Sequence, residues 1–183
     1  MRYALFLRGI NVGGKNKVVM GEFKDQLQGL GFKKVMSYIN SVNFVFDSDE
    51  DHRQIMGSIQ MLCQQTYAFN LPLALISQTS YAEDYEKIPA WWQEPFARKD
   101  VLFYTRSSQK EEIQNYLTGL SLGDEIVHIG EIACYWGKRE ESNFLKTAYH
   151  KALAKAPFYQ AITIRNENTF EKIYTLLHKE NNK

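Results

Sequence analysis

Cysteine and proline are scarce in this chain: two Cys and four Pro in 183 residues. That leaves no room for a disulfide scaffold or a proline-rich linker. Cys63 and Cys134 sit in apolar contexts, without the C-x-x-C or Cys/His spacing of a zinc site, so reduced core thiols and no metal are expected. No stretch approaches the roughly 18 apolar residues of a transmembrane helix, and no membrane partner is expected. The first apolar run, between Arg2 and Arg8, is too short for the core of a secretion signal, which makes a cytoplasmic address the expectation. Net charge is equally small, +1, and gives no argument for a polyanionic partner.

What is present is globular: 44% hydrophobic and 23% charged residues. A chain of this length buries roughly 70% of its unfolded surface and needs no staple. Charge is unevenly spread, with a net of +5 over residues 1–40, −8 over 41–137 and +4 over 138–183. If the fold joins the basic ends, a positive surface results; the plainer reading is solvated lysines on ordinary exposed faces.

Hydrophobic spacing gives the order of elements. Residues 2–8 read as a strand, and Phe23, Leu27 and Leu30 mark a helix stopped by Gly31. Residues 33–39 and 42–47 are strand-like runs joined so closely that they must form an antiparallel hairpin. Ile55, Ile59, Leu62 and Cys63 mark a second helix, and residues 71–77 a strand with Pro72 near its start. Ser80 with Glu83 resembles a capping box, and PAWWQEP (89–95) reads as a connector.

The same order then recurs. A strand at 100–105 is followed by a helix capped by Ser108 and Glu111, and a hairpin of 125–129 and 131–136 turns at Gly130. A helix from Ser142 through Ala154, a strand at 161–165 and a last helix opened by Asn168 and Glu171 complete the chain. The expected fold class is α+β, with two ferredoxin-like βαββαβ units whose antiparallel sheets carry their helices on one face. The expected boundaries are 1–78 for the first unit, 79–97 for the connector and 98–183 for the second unit with a final helix. Each unit leaves one sheet face to be covered by the other unit, or bared for a ligand.

Three polar clusters carry the candidate chemistry. The first is the loop after the first strand, with Arg8, Asn11, Gly13, Gly14, Lys15 and Lys17. Its glycines permit an anion-holding nest of main-chain N–H groups, with the basic side chains adding charge. Gly9 to Lys15 fits G-x-x-x-x-G-K, but Asn16 stands where a P-loop has Ser or Thr, and Val18 and Val19 delay the helix. A nucleotide-hydrolysing P-loop is therefore not expected. The second cluster is the hairpin with Tyr38, Ser41 and Asn43, residue types that also serve as plain turn formers. The third is Thr163, Arg165, Asn166, Asn168 and Thr169 at a helix start, where an anion or merely a cap would be satisfied.

At these residues the chain resembles a known family. ALFLRGINVGGKNKVVM (4–20), SYINSVNFVF (37–46) and TIRNENTFEKIYTLL (163–177) resemble the bacterial family catalogued as domain of unknown function 1697. Ser37 and Val42 depart from the family's usual Thr and Gly. The resemblance implies a two-part α+β structure and no assigned activity. A β-branched Val42 disfavours a positive φ, so that turn is expected to differ from the family's.

Three functions compete on the sequence. The first is a pocket for a phosphate- or carboxylate-bearing small molecule, drawn from Arg8, Asn11, Gly13, Gly14, Lys15, Lys17, Ser41, Asn43, Arg165, Asn166 and Thr169. No cofactor is expected, and Tyr38, Ser41, His52, His128 and His150 are catalytic candidates without recognisable partners. The second is nucleic-acid binding on an exposed sheet, with Phe44 and Phe46 stacking bases. The third is a protein-interaction patch at Trp91, Trp92 and Phe96, whose plainer reading is packing within the connector.

Overall fold

The computed structural model describes residues 1–11, 16–38, 43–140 and 144–179. β1 (Arg2–Leu7) leads to α1 (Met20–Gly29), then β2 (Lys33–Tyr38), β3 (Asn43–Asp47), α2 (His52–Thr66) and β4 (Leu73–Ser77). α3 (Gln78–Tyr85) and a short 3₁₀ turn (Ala90–Gln93) connect to β5 (Arg98–Phe103) and α4 (Gln109–Thr118). β6 (Glu125–Ile129), β7 (Ala133–Lys138), α5 (Ala148–Lys151), β8 (Thr163–Asn166) and α6 (Glu167–His178) follow. The strands form two four-stranded antiparallel sheets, ordered β2-β3-β1-β4 and β6-β7-β5-β8.

Period-two alternation divides each sheet into two buried faces. Tyr3, Leu5 and Leu7 of β1 pack outward against Phe23 and Leu27 of α1 and Ile55 and Ile59 of α2. Ala4 and Phe6 face the other way, into a core shared with Val101, Phe103 and Tyr135 of the second sheet. There the Phe6 and Phe103 rings stack at 4.2 Å, while Tyr81 of α3 and Phe170 of α6 fill the remaining space between the sheets. Leu102, Cys134 and Trp136 point outward against Ile113 of α4. Each sheet thus covers the other, and neither inner face is bared for a ligand.

Trp91 and Trp92 are both buried in the inter-sheet core, and Trp92 Nε1–H donates to Glu171 at 3.0 Å. Phe44 and Phe46 are also fully buried, so neither can serve as a platform on which bases stack.

Four helix starts differ from the sequence expectation. Ser77, not Ser80, caps α3: its Oγ accepts from the Ser80 N–H at 3.1 Å because the chain passes from strand to helix without a spacer. Asn166, not Asn168, caps α6 for the same reason. Ser108 makes no cap bond; the Gln109 side chain reaches back to the Thr105 and Arg106 N–H groups instead. The helix expected from Ser142 is broken, with Ser142 itself outside the described residues. The buried Glu125 carboxylate accepts from the Ala148 and Tyr149 N–H groups at 2.6 and 3.0 Å and starts α5 afresh after Thr147.

Candidate functional site

β1 ends at Leu7, and Arg8 follows at the seam between the two sheets. Its N–H bonds the Pro72 carbonyl at 3.0 Å, and its guanidinium lies 4.6 Å over the Tyr159 ring and donates to the Ile162 carbonyl at 2.5 Å. Among the described residues Arg8 has no carboxylate partner.

Arg165 of β8 reaches the same place from the other sheet. Its guanidinium donates to the Leu7 carbonyl and Thr163 Oγ1, both at 2.8 Å, to the Ile164 carbonyl at 2.7 Å, and to Asn43 Oδ1. Burial, with the adjacent Arg8 charge, pulls its pKa down to about 10. Two cations are therefore held side by side, an arrangement that like-charge repulsion makes costly. Asn43 is buried and donates to the Tyr38 carbonyl, so its whole side chain is spent between the hairpin and Arg165.

The neck of the loop after β1 is closed by its own asparagines. Asn11 N–H bonds the Asn16 carbonyl at 3.1 Å, and Asn16 Nδ2 returns to the Gly9 carbonyl at 3.0 Å. The Asn11 amide holds both the N–H and the carbonyl of Val18, at 3.0 and 2.9 Å. Asn11 and Asn16 adopt positive φ of 55° and 52°, a conformation Asn tolerates better than most residues. Asn11 is therefore a loop staple. Lys17 is exposed at the same neck. Gly13, Gly14, Lys15 and Ser41 lie outside the described residues, as does Val42.

The structure brings Arg8, Asn43 and Arg165 together, with Asn11 and Lys17 on the adjoining loop. Asn166 and Thr169 stand apart. β8 pairs Thr163 with Phe103 but Asn166 with Asp100, three residues further along the strand, and Asn166 Oδ1 accepts the Thr169 N–H at 3.0 Å as the cap of α6.

Two of the catalytic candidates are engaged elsewhere, and Ser41 lies outside the described residues. His52 Nε2 faces the Leu75 carbonyl at 3.0 Å, and His128 lies against the Tyr135 ring. Burial raises the Cys63 thiol to about 11 and Cys134 higher still, so neither is a thiolate at neutral pH. Among the described residues, no group of three or more His, Cys, Asp or Glu side chains could hold a metal, and no helix is long and apolar enough to cross a membrane.

Arg8 of the RGIN segment and Asn43 of the YINSVN segment thus reach one seam, and residues 1–135 match a family model described as protein of unknown function (DUF1697). The chain belongs to the DUF1697 family. A solved structure of a conserved bacterial protein from Streptococcus pneumoniae is similar at 45% identity. The alignment covers 96% of this chain and 98% of that one, with a TM-score of 0.92. No curated protein matches. The TIRN segment of this DUF1697 chain lies beyond the span of the family model, yet it supplies Arg165, the partner of the RGIN strand.

Two structurally important residues carried no usable signal in the sequence. Tyr159 supports Arg8 across a separation of about 150 residues, which no local pattern encodes. Asp84, which no motif singled out, is 1% exposed. It accepts from Glu131 N–H at 2.7 Å, Ile132 N–H at 3.2 Å and Tyr135 OH at 2.8 Å, fastening α3 to the β6–β7 turn.

Proposed function

We propose that this DUF1697 protein binds a phosphate- or carboxylate-bearing small molecule at the end of β1, with Arg8 as the principal contact and Lys17 and the glycine loop around it. The reading takes the chain as two ferredoxin-like units, 1–78 and 98–183, joined by 79–97, with the ligand at their seam. One observation carries it: the Arg8 guanidinium is fixed by Tyr159 and Ile162 beside a second cation, with no carboxylate partner among the described residues. A bound anion offsets that like-charge cost, and the remaining Arg8 donors suit a two-oxygen acceptor. Arg165 and Asn43 serve as positioning groups, because their donors and acceptors already hold the seam.

Melting-temperature shifts with inorganic phosphate, nucleotides, sugar phosphates and short RNA and DNA test this. A ligand at a hundredfold excess over Kd contributes about 2.7 kcal/mol, which for a domain this size moves Tm by roughly 5–10 °C. Arg8→Gln is expected to abolish the shift while leaving the unliganded protein folded. If no anion raises Tm, or if Arg8→Gln retains the full effect, the reading fails. A shift seen only with RNA or DNA and lost steeply with salt identifies a nucleic-acid backbone instead.

A further inference from the structure

β4 is an edge strand, and the phase of its ladder decides which main-chain groups it exposes. Arg8 N–H bonds the Pro72 carbonyl, so in the same register Phe6 with Ala74 and Ala4 with Ile76 are the hydrogen-bonded pairs. Leu73, Leu75 and Ser77 therefore turn their N–H and C=O groups away from the sheet. His52 confirms the phase by meeting the Leu75 carbonyl from outside at 3.0 Å. The Leu75 N–H and both main-chain groups of Leu73 have no partner among the described residues.

This rim looks into a trench between the two units. A cavity of about 390 Å³ runs beside Leu75–Ser77, and one of about 490 Å³ beside Leu71–Leu73. Thr105 and Arg106 wall both cavities. From residue 71 to 77 an extended strand covers about 20 Å, a shape suited to a chain and too long for a compact metabolite. The far wall is cationic, with Arg106 and Lys110, while Gln60, Gln64 and Gln160 offer amides. Glu131 is the one carboxylate lining either cavity, and Lys110 already binds it at 2.5 Å. Arg106 meets Glu112 at 3.1 Å in a solvent-exposed pair, which exchanges readily for another carboxylate.

We propose that the β4 rim takes up an extended acidic peptide of about six residues by strand addition, pairing with Leu73 and Leu75 and placing carboxylates against Arg106 and Lys110. Only another strand matches alternate outward N–H and C=O groups, and the wall charge selects the sign of its side chains. His52 is the plug that occupies the rim when no peptide is bound, as unpaired edges in folded proteins are commonly covered.

The test uses the full chain and an acetylated six-residue peptide of alternating valine and glutamate, with its lysine counterpart as control. Binding is expected to slow hydrogen exchange at the Leu73 and Leu75 amides at least tenfold. Arg106→Glu is expected to weaken it at least tenfold, Lys110→Glu similarly, and His52→Ala to tighten it. Both charge reversals are at partly exposed positions in surface ion pairs, so the variants fold. Arg8→Gln leaves peptide binding unchanged, which separates this site from the anion site. Unaltered Leu73 and Leu75 amides at millimolar peptide, or equal binding of the lysine peptide, overturn the proposal. Protection of the same amides by self-association or by short RNA overturns it as well.

Discussion

At the residue scale, two glycines of the second sheet are fixed by what packs on them. A Cβ at Gly130 would lie 2.8 Å from Asp84 Oδ1 and closer still to Oδ2. A Cβ at Gly137 would lie 2.7 Å from the Trp91 ring. Gly130→Ala is expected to cost about 2 kcal/mol by overpacking and by pushing away the carboxylate that holds the turn. Asp84→Ala leaves two N–H groups and a hydroxyl unsatisfied in the interior and should cost about 3 kcal/mol. Urea titration of both variants checks this; losses below about 0.5 kcal/mol would contradict the geometry. In the sequence Gly130 reads only as a turn residue, because the atom that excludes a side chain there comes from Asp84 of α3, far away along the chain.

At the scale of elements, strands and helices were legible in the sequence while helix starts were not. Asn166 and Asn168 are both plausible caps by residue type, and only the point where β8 releases the chain selects Asn166. Asn166→Ala is therefore expected to lose about 1 kcal/mol, and Asn168→Ala to stay within about 0.5 kcal/mol of the parent. The opposite order in thermal melts would restore Asn168 as the cap. The other end of α6 is held across the whole chain: Arg2 Nη1 donates to the Leu176 and Lys179 carbonyls at 3.1 and 2.8 Å, placing a cation where the helix end is negative. β2, the edge of the first sheet opposite β4, carries Lys33, Lys34 and a register shift, features that discourage pairing with other chains.

At the scale of the whole molecule, the shared inner core couples the two units. Fragment 1–78 alone would expose Ala4, Phe6, Val45, Ala74 and Ile76 to water, so it is expected to aggregate or remain unfolded. The full chain is expected to melt in one transition, with equal calorimetric and van't Hoff enthalpies. Two resolved transitions would show that the units are independent.

Alkaline pH probes the packed interior. Burial holds Tyr81 and Tyr135 neutral well above the ordinary phenol value of 10.0, and raises Tyr104, Tyr149 and Tyr85 as well. Above pH 10 the unfolded chain loses these protons while the folded protein keeps them, so stability falls as pH rises. Arg165 acts oppositely, since its folded value of about 10 lies below the ordinary 12.5, but it is one group against five. Denaturant midpoints between pH 8 and 11.5 should therefore drop above pH 10; a flat profile would be inconsistent with phenols held in the interior.

The order of elements and the antiparallel hairpins were fixed locally, because they rest on short apolar runs, turn residues and a helical spacing of 3.6 residues that the sequence carries openly. The placement of Arg8 over Tyr159 and beside Arg165, the burial of Asp84, and the covering of each sheet by the other join residues about 50 to 160 positions apart. No local pattern encodes such separations, and only the packing of the two sheets on one core decided them.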